Sequence, residues 1–340
     1  LDYSWQFLGV CWEDQRIPLS ALRATYSLPE LSGVAELVFI PGWDHRENRV
    51  NKYAPASPIQ FDPVGWRLFD QRHKMSHWAP NDPPPPSVIT FPTATVTYHY
   101  PDSGPDDDYQ LGFRWMGDYR GFSYTLAYFY SFSYDPVAKY QWGLGTFAPT
   151  SDPATWIPDV PVITNVDLVF PRTHMVGGSF NWYSQTLNTV FRGEWGYWTN
   201  WRWNSGNVTP FWDTVVRKKV FKYMLGTDGN YFIRWLNPTR TFFISTQIFQ
   251  TIILDYEDGD GILEIGSWPA KARQVETMLT LLIQGNYRND NVTPEVLFSY
   301  DADDGCWWIH GKCKLTIGDH WRLTPGIQLF GGHDKYQSLG

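Results

Sequence analysis

The charged side chains in the most regular stretches of this chain stand singly. Arg114, Arg192, Glu194, Lys222, Arg234, Glu276, His310, Lys312 and Lys314 each lie between two uncharged neighbours. A row of such groups along one wall does one of two kinds of work. It sets up a field that sorts passing solutes by charge, or its members bind one another as ion pairs and fill an interior. The residues alone leave both open. Three acid-rich stretches offer a different chemistry: Asp106 to Asp108; Asp255, Glu257, Asp258 and Asp260; and Asp301, Asp303 and Asp304. Clustered carboxylates suit calcium or magnesium. The run from Asp255 lacks EF-hand spacing, so Asp255, Glu257, Asp258 and Asp260 are weak metal candidates beside the simpler reading of a hydrated loop.

Catalysis finds little support. His99, His174 and His310 are scattered, and no serine nucleophile motif adjoins them. A surface hydrolase is therefore the least favoured reading, and no cofactor is expected. Cys11, Cys306 and Cys313 lack zinc spacing. The last two are seven apart, which puts them on opposite faces of a shared strand and argues against a bridge.

The elements that must position these groups follow from composition and periodicity. The chain of 340 residues holds 19 Trp, 20 Tyr and 21 Phe with only 18% charged residues, yet its mean hydropathy is polar at -0.37. A helical membrane protein needs runs of about 20 apolar residues, and the most apolar stretch, 242–254, is broken by Ser245, Thr246, Gln247, Gln250 and Thr251. A net charge of -8 excludes a nucleic-acid partner, which needs a clustered basic face. The first residue is Leu1, so any targeting segment is expected upstream.

The main pattern is alternation with period two. From Phe221 to Trp235 the odd positions carry no charge, and the even ones include Lys222, Asp228 and Arg234. The same design recurs in 120–133, 187–197, 275–285 and 305–317. It predicts strands at 16–27, 32–40, 109–117, 120–133, 166–183, 187–199, 216–236, 240–254, 273–287, 293–301, 305–317 and 320–331, with a short one over 3–10. Short turns at 28–31, 118–119, 184–186, 237–239, 288–292 and 318–319 alternate with the connections 41–108, 134–165, 200–215, 255–272 and 302–304, which include all the long ones.

Alternating short and long connections, with long strands apolar on one side, describe an antiparallel up-and-down transmembrane β-barrel of a Gram-negative outer membrane. A large soluble sandwich or propeller would use the aromatics as core, but it leaves the alternation unexplained. Keeping the parity requires 166–183 to be a single strand despite Pro171. With short turns in the periplasm, Trp115, Phe122, Trp182, Trp235 and Trp321 form an inner aromatic girdle; Tyr109, Tyr130, Trp195, Tyr197 and Trp307 form an outer one. The whole chain reads as one barrel domain with extracellular loops 41–108 and 134–165. Both ends are expected to be incomplete, with a closing strand beyond residue 340 and about 14 to 16 strands in the intact barrel, an even number.

Phe191-Arg192-Gly193-Glu194-Trp195 and the run from Ile233 to Ser245, with Phe170-Pro171-Arg172 before it and Ile253-Leu254-Asp255 after it, resemble a large family of proteobacterial outer-membrane proteins carried as a domain of unknown function. The likeness spans about 160–256. It implies a barrel and outer-membrane transport, with no named substrate. Members of that family typically close on an aromatic residue, whereas this sequence stops at Gly340.

The expected function is a channel for a small, apolar or amphipathic solute, and the lumen-facing set above would line it. The alternative is a scaffold barrel whose lumen is filled by its own side chains or by a periplasmic or export-complex partner. Outer-membrane lipids and lipopolysaccharide are the expected surroundings, with Arg217, Lys218 and Lys219 placed to meet lipid phosphates and the acidic loops to share ions with lipopolysaccharide. Loop 41–108, with Trp43, Trp66, Trp78 and Pro83 to Pro86, is expected to cover the mouth.

Overall fold

The alternating segments form strands, as β-branched and aromatic residues on a pleated surface should. The computed structural model describes residues 20–42, 95–101, 108–133, 137–147, 157–205, 215–263, 272–303 and 305–332. In chain order they build β1 (Leu22–Leu28), β2 (Gly33–Ile40), β3 (Thr95–His99), β4 (Gln110–Tyr119), β5 (Phe122–Phe132), β6 (Val137–Phe147), β7 (Ile157–Val169), β8 (Arg172–Ser184) and β9 (Thr189–Ser205). The rest are β10 (Val215–Tyr231), β11 (Phe242–Ile253), β12 (Ile262–Leu263), β13 (Val275–Gln284), β14 (Val292–Asp301), β15 (Trp307–Ile317), β16 (Trp321–Leu323) and β17 (Gly326–Gly331). The protein is all-β. Among the described residues no helix is long and apolar enough to cross a membrane.

A 14-stranded antiparallel sheet runs β1-β2-β4-β5-β8-β9-β10-β11-β13-β14-β15-β16, with β12 beside the end of β9 and β17 beside β15. β16 and β17 are one strand interrupted at Pro325. The Cys313 amide still donates to the Pro325 carbonyl at 3.0 Å, so the register against β15 continues unbroken. Among the described residues β1 pairs only with β2, and β16 and β17 only with β15. The predicted strand over 3–10, the start of 16–27, most of loop 41–108 with its three tryptophans, Cys11 and the last eight residues lie outside the described residues.

Short connections join β1–β2, β4–β5, β8–β9, β10–β11, β13–β14 and β15–β16, all at one end of the sheet. At the tightest, Arg120 and Gly121 both take positive φ, 53° and 81°, the geometry that matches the twist of a two-residue hairpin. Asp118 secures it by accepting from the Gly121 amide and the Ser123 hydroxyl.

The single strand predicted over 166–183 is two strands, and they belong to different sheets. β7 ends at Val169, and β8 starts at Arg172. Pro171 has no amide to give to a ladder. Its carbonyl accepts from Ser133 at 2.7 Å, while Phe132 and Phe170 pack together beneath Tyr100. The chain thus leaves the main sheet after β5 and re-enters at the same point as β8, its direct neighbour. The alternation survives because the whole excursion counts as one connection.

The segments expected as loops 41–108 and 134–165 hold a second sheet, ordered β3-β7-β6, in which β3 and β7 are parallel. It is tethered where β9 outruns β8. There the Asn204 side chain donates to the Ala138 carbonyl of β6 at 2.8 Å and accepts from its amide at 3.2 Å. One turn of pleat earlier, Asn200 does the same for the backbone of Arg172 and His174. Each asparagine replaces a missing ladder partner, and β9 therefore extends to Ser205, well into the connection predicted over 200–215, while β10 starts at Val215, one residue before the predicted start.

Arg234 and Trp235 are not in a strand. β10 stops at Tyr231 and β11 begins at Phe242. The amides of Leu236 and Asn237 fold back onto the Ile233 carbonyl, and the buried Asn237 side chain accepts from Thr239 and Arg240 while donating to Asn286 at 2.8 Å. That turn removes Arg234 from the wall and leaves its guanidinium over Phe232, with Trp235 83% exposed.

Candidate functional site

Pairing registers assign every strand of the main sheet to a common pair of faces. The row Glu36, Arg114, Ala127, Gly177, Gly196, Lys222, Thr251 and Glu276 runs across one face from β2 to β13. Arg192, Glu194, His310, Lys312 and Lys314 share that face. The opposite face carries Leu37, Phe113, Tyr128, Val176, Tyr197, Phe221 and Ile252 in a parallel row. Among its described residues the charges stand only at the long-connection rim: Arg172 at the end of β8, and Arg202, Arg217 and Lys219 on the outer reach of β9 and β10. Trp115, Phe122, Tyr130, Trp182, Trp195, Tyr197, Trp307 and Trp321 all point to this side. Large apolar side chains are exposed along it from Leu22 and Tyr26 through Leu126, Leu225 and Leu279 to Ile317 and Leu329. Its few polar groups satisfy one another: Tyr223 donates to Gln250, Gln250 to Thr277, and Thr227 bonds Thr246.

The charged face also contains Asp228, which alternation had placed there, and groups that alternation alone did not single out: Arg23, Glu36 and Glu295. Glu36 sits between Arg23 and Arg114, 2.9 Å from the latter. Arg192 meets Asp228 at 3.1 Å and Lys312 meets Glu295 at 2.9 Å. The missing information was cross-strand register, which sets Glu36 opposite Arg114 and Glu295 opposite Lys312. His310 stacks on Trp308.

In the middle of this face, between β5 and β11, lies a concavity of about 480 Å³, within the range of small-molecule pockets. Glycines make its floor deep. A Cβ on Gly177 would come within 2.6 Å of the Trp195 carbonyl oxygen, and one on Gly196 within 2.7 Å of the Trp198 ring. Met175, Met224 and Phe249 supply apolar wall, while Glu194 and Lys222 bring opposite charges. The Lys222 ammonium lies 4.7 Å above the Trp201 ring and 5.8 Å from that of Trp198. Glu194 makes no ion pair with any described residue.

At the long-connection end, the segment after β11 folds back on the charged face. Trp203, Val220, Ile253, Ile262 and Ala272 form a buried cluster against which Trp198, Trp201 and Tyr256 pack. The basic run expected at lipid phosphates is partly committed here: Lys218 is buried against Asp260 and the Asp255 carbonyl, and the Lys219 amide donates to the Asp255 carboxylate. Among the described residues no three His, Cys, Asp or Glu side chains come together as a metal site. Asp303 accepts from the Thr277 amide, and Arg273 donates to its carbonyl. At the same rim Arg172 is held by Asp108 at 3.1 Å and lies over the rings of Phe132, Tyr130 and Tyr109. Cys306 is buried and Cys313 half-buried, both as free thiols.

The second sheet carries a polar ladder. His99 meets the Asp167 carboxylate at 2.8 Å, Gln141 and Asn165 also donate to it, and Thr97 donates to Asn165. The His99 hydrogen bond, above all, holds the Asp167 carboxyl below the usual carboxylate range, against the opposing effect of burial. A lowered folded-state pKa stabilises above the ordinary carboxylate range and is lost as pH falls through the lowered value. The protection of β3 amides against hydrogen exchange, corrected for the intrinsic pH dependence of exchange, should therefore stay constant from neutrality down to that range and fall below it, with Asp167→Asn flattening the acid limb. A loss of protection that begins near neutrality would contradict the assignment. No family model, curated protein or solved structure matches this chain.

Proposed function

We propose that the chain is the wall of a transmembrane β-barrel in a Gram-negative outer membrane, closed by strands beyond those described into a barrel of about 14 to 16, and that it conducts a small amphipathic solute. One observation carries this reading: across the main sheet, one face is exposed, apolar and uncharged to its rim, while the other bears the charges and the concavity. In water such a surface far exceeds the few hundred Å² of apolar patch that soluble monomers expose. Against hydrocarbon it is the required surface, and the aromatic rows at its ends suit the two interfaces. The resemblance over 160–256 to proteobacterial outer-membrane proteins points the same way.

A scaffold barrel with a filled interior is the second reading. The pairing of Glu36 with Arg23 and Arg114, of Arg192 with Asp228 and of Lys312 with Glu295 favours it. Single-channel recording in planar bilayers separates the two: discrete conductance steps support the channel, and a silent but heat-modifiable barrel supports the scaffold. Orientation is tested with single cysteines at Glu257 and Thr239, exposed at opposite ends of the sheet. An impermeant maleimide on whole cells should label the first alone; labelling of the second alone would invert the topology.

A further inference from the structure

We infer that the concavity on the charged face is a binding site for an organic ammonium ion with a compact apolar body. The inference rests on the proposed barrel only in placing the site within the lumen. Glu194 faces the concavity between its cross-strand neighbours Ser179 and Met224. Among the described residues that line the concavity the one cation, Lys222, is drawn toward the rim by the faces of Trp198 and Trp201. The hydroxyls of Thr125 and Ser179 bond each other at 2.8 Å, so their mutual bond does not use the Glu194 carboxylate. A carboxylate without an ion pair, beside Met175, Met224 and Phe249, attracts a positive headgroup while the thioethers and ring take its apolar portion. The glycine floor sets the shape. With Gly177 and Gly196 lacking side chains, a flat or ring-shaped body can lie against the wall where any Cβ would strike backbone or the Trp198 ring. The chain's net charge of -8 adds a field of the same sign.

The test uses the full chain in lipid nanodiscs and isothermal titration calorimetry with three probes of one shape: phenethylammonium, 3-phenylpropionate and 2-phenylethanol. Phenethylammonium should bind about tenfold or more tightly than either other probe, a difference typical of a charge-assisted contact. Glu194→Gln should remove that preference, Glu194→Asp should keep part of it, and Glu276→Gln, on the same face but outside the concavity, should keep all of it. Equal binding of the three probes, no binding of any, or a preference that survives Glu194→Gln overturns the proposal. Binding requires no conducting pore, so the two readings fail separately. A silent barrel with an intact ammonium preference sinks the channel, and a conducting one without the preference sinks this site.

Discussion

Leu225→Arg should destabilise the protein by about 2–4 kcal/mol in lipid vesicles, while Met224→Arg, one residue away, costs under about 1 kcal/mol. Leu225 is 47% exposed on the uncharged face, in mid-strand, between Gly193 on β9 and Ile248 on β10's other neighbour β11. An exposed leucine on a solvated surface would accept arginine at little cost. The penalty arises only if the guanidinium enters hydrocarbon, so the experiment reads the surroundings of the face as well as its orientation. Met224 looks into the concavity, where water and Glu194 receive a cation. Urea titrations of folding into vesicles give both values. Equal costs at the two positions would sink the assignment of faces.

Trp203→Ala should remove about 3–5 kcal/mol from the rim cluster, the usual penalty for truncating a buried tryptophan. Trp203 joins Val220 and Ile253 of the main sheet to Ile262 and Ala272 of the folded-back connection, whose other anchors, the β12 pairing and the Lys218 and Lys219 contacts with Asp255 and Asp260, are polar. The loss should therefore appear as local opening: faster trypsin cleavage after Arg273 with heat-modifiable mobility unchanged. Trp198 belongs both to this cluster's edge and to the concavity, so release of the connection should also raise conductance. Unchanged cleavage would show that the cluster does not hold the connection.

Strand positions were legible because alternation with a buried or apolar side is a local property. The strand predicted over 32–40 is Gly33–Ile40, that over 293–301 is Val292–Asp301, and Lys222 and Lys312 share one face of the sheet. What failed was non-local. Nothing around Pro171 tells whether the chain bends within a sheet or changes sheet; that is decided by Ser133 and Phe132, some forty residues earlier. The outer reach of β9 depends on Asn200 and Asn204 finding backbone on β8 and β6. Arg234 alternates correctly with its neighbours but lies in a turn fixed by Asn237 and the distant Asn286 carbonyl. The concavity was invisible for the same reason: Gly177 and Gly196 are 19 positions apart in sequence and meet only through register.

The neck at Ser133 and Pro171 bears on how the fold can change. Because β6 and β7 depart and return through one hydrogen bond, they form a closed loop on a fixed base, which β3 joins from the connection between β2 and β4. Loop-closure entropy grows slowly, about 0.6 kcal/mol per doubling of length, so the segment between β5 and β8 is free to lengthen, shrink or be exchanged without moving the wall. The excursion and the main sheet can thereby vary independently within one chain. The tether at Asn204, two hydrogen bonds to a single residue of β6, is one contact that a replacement module would have to reproduce, with the pairing of β7 to β3 another.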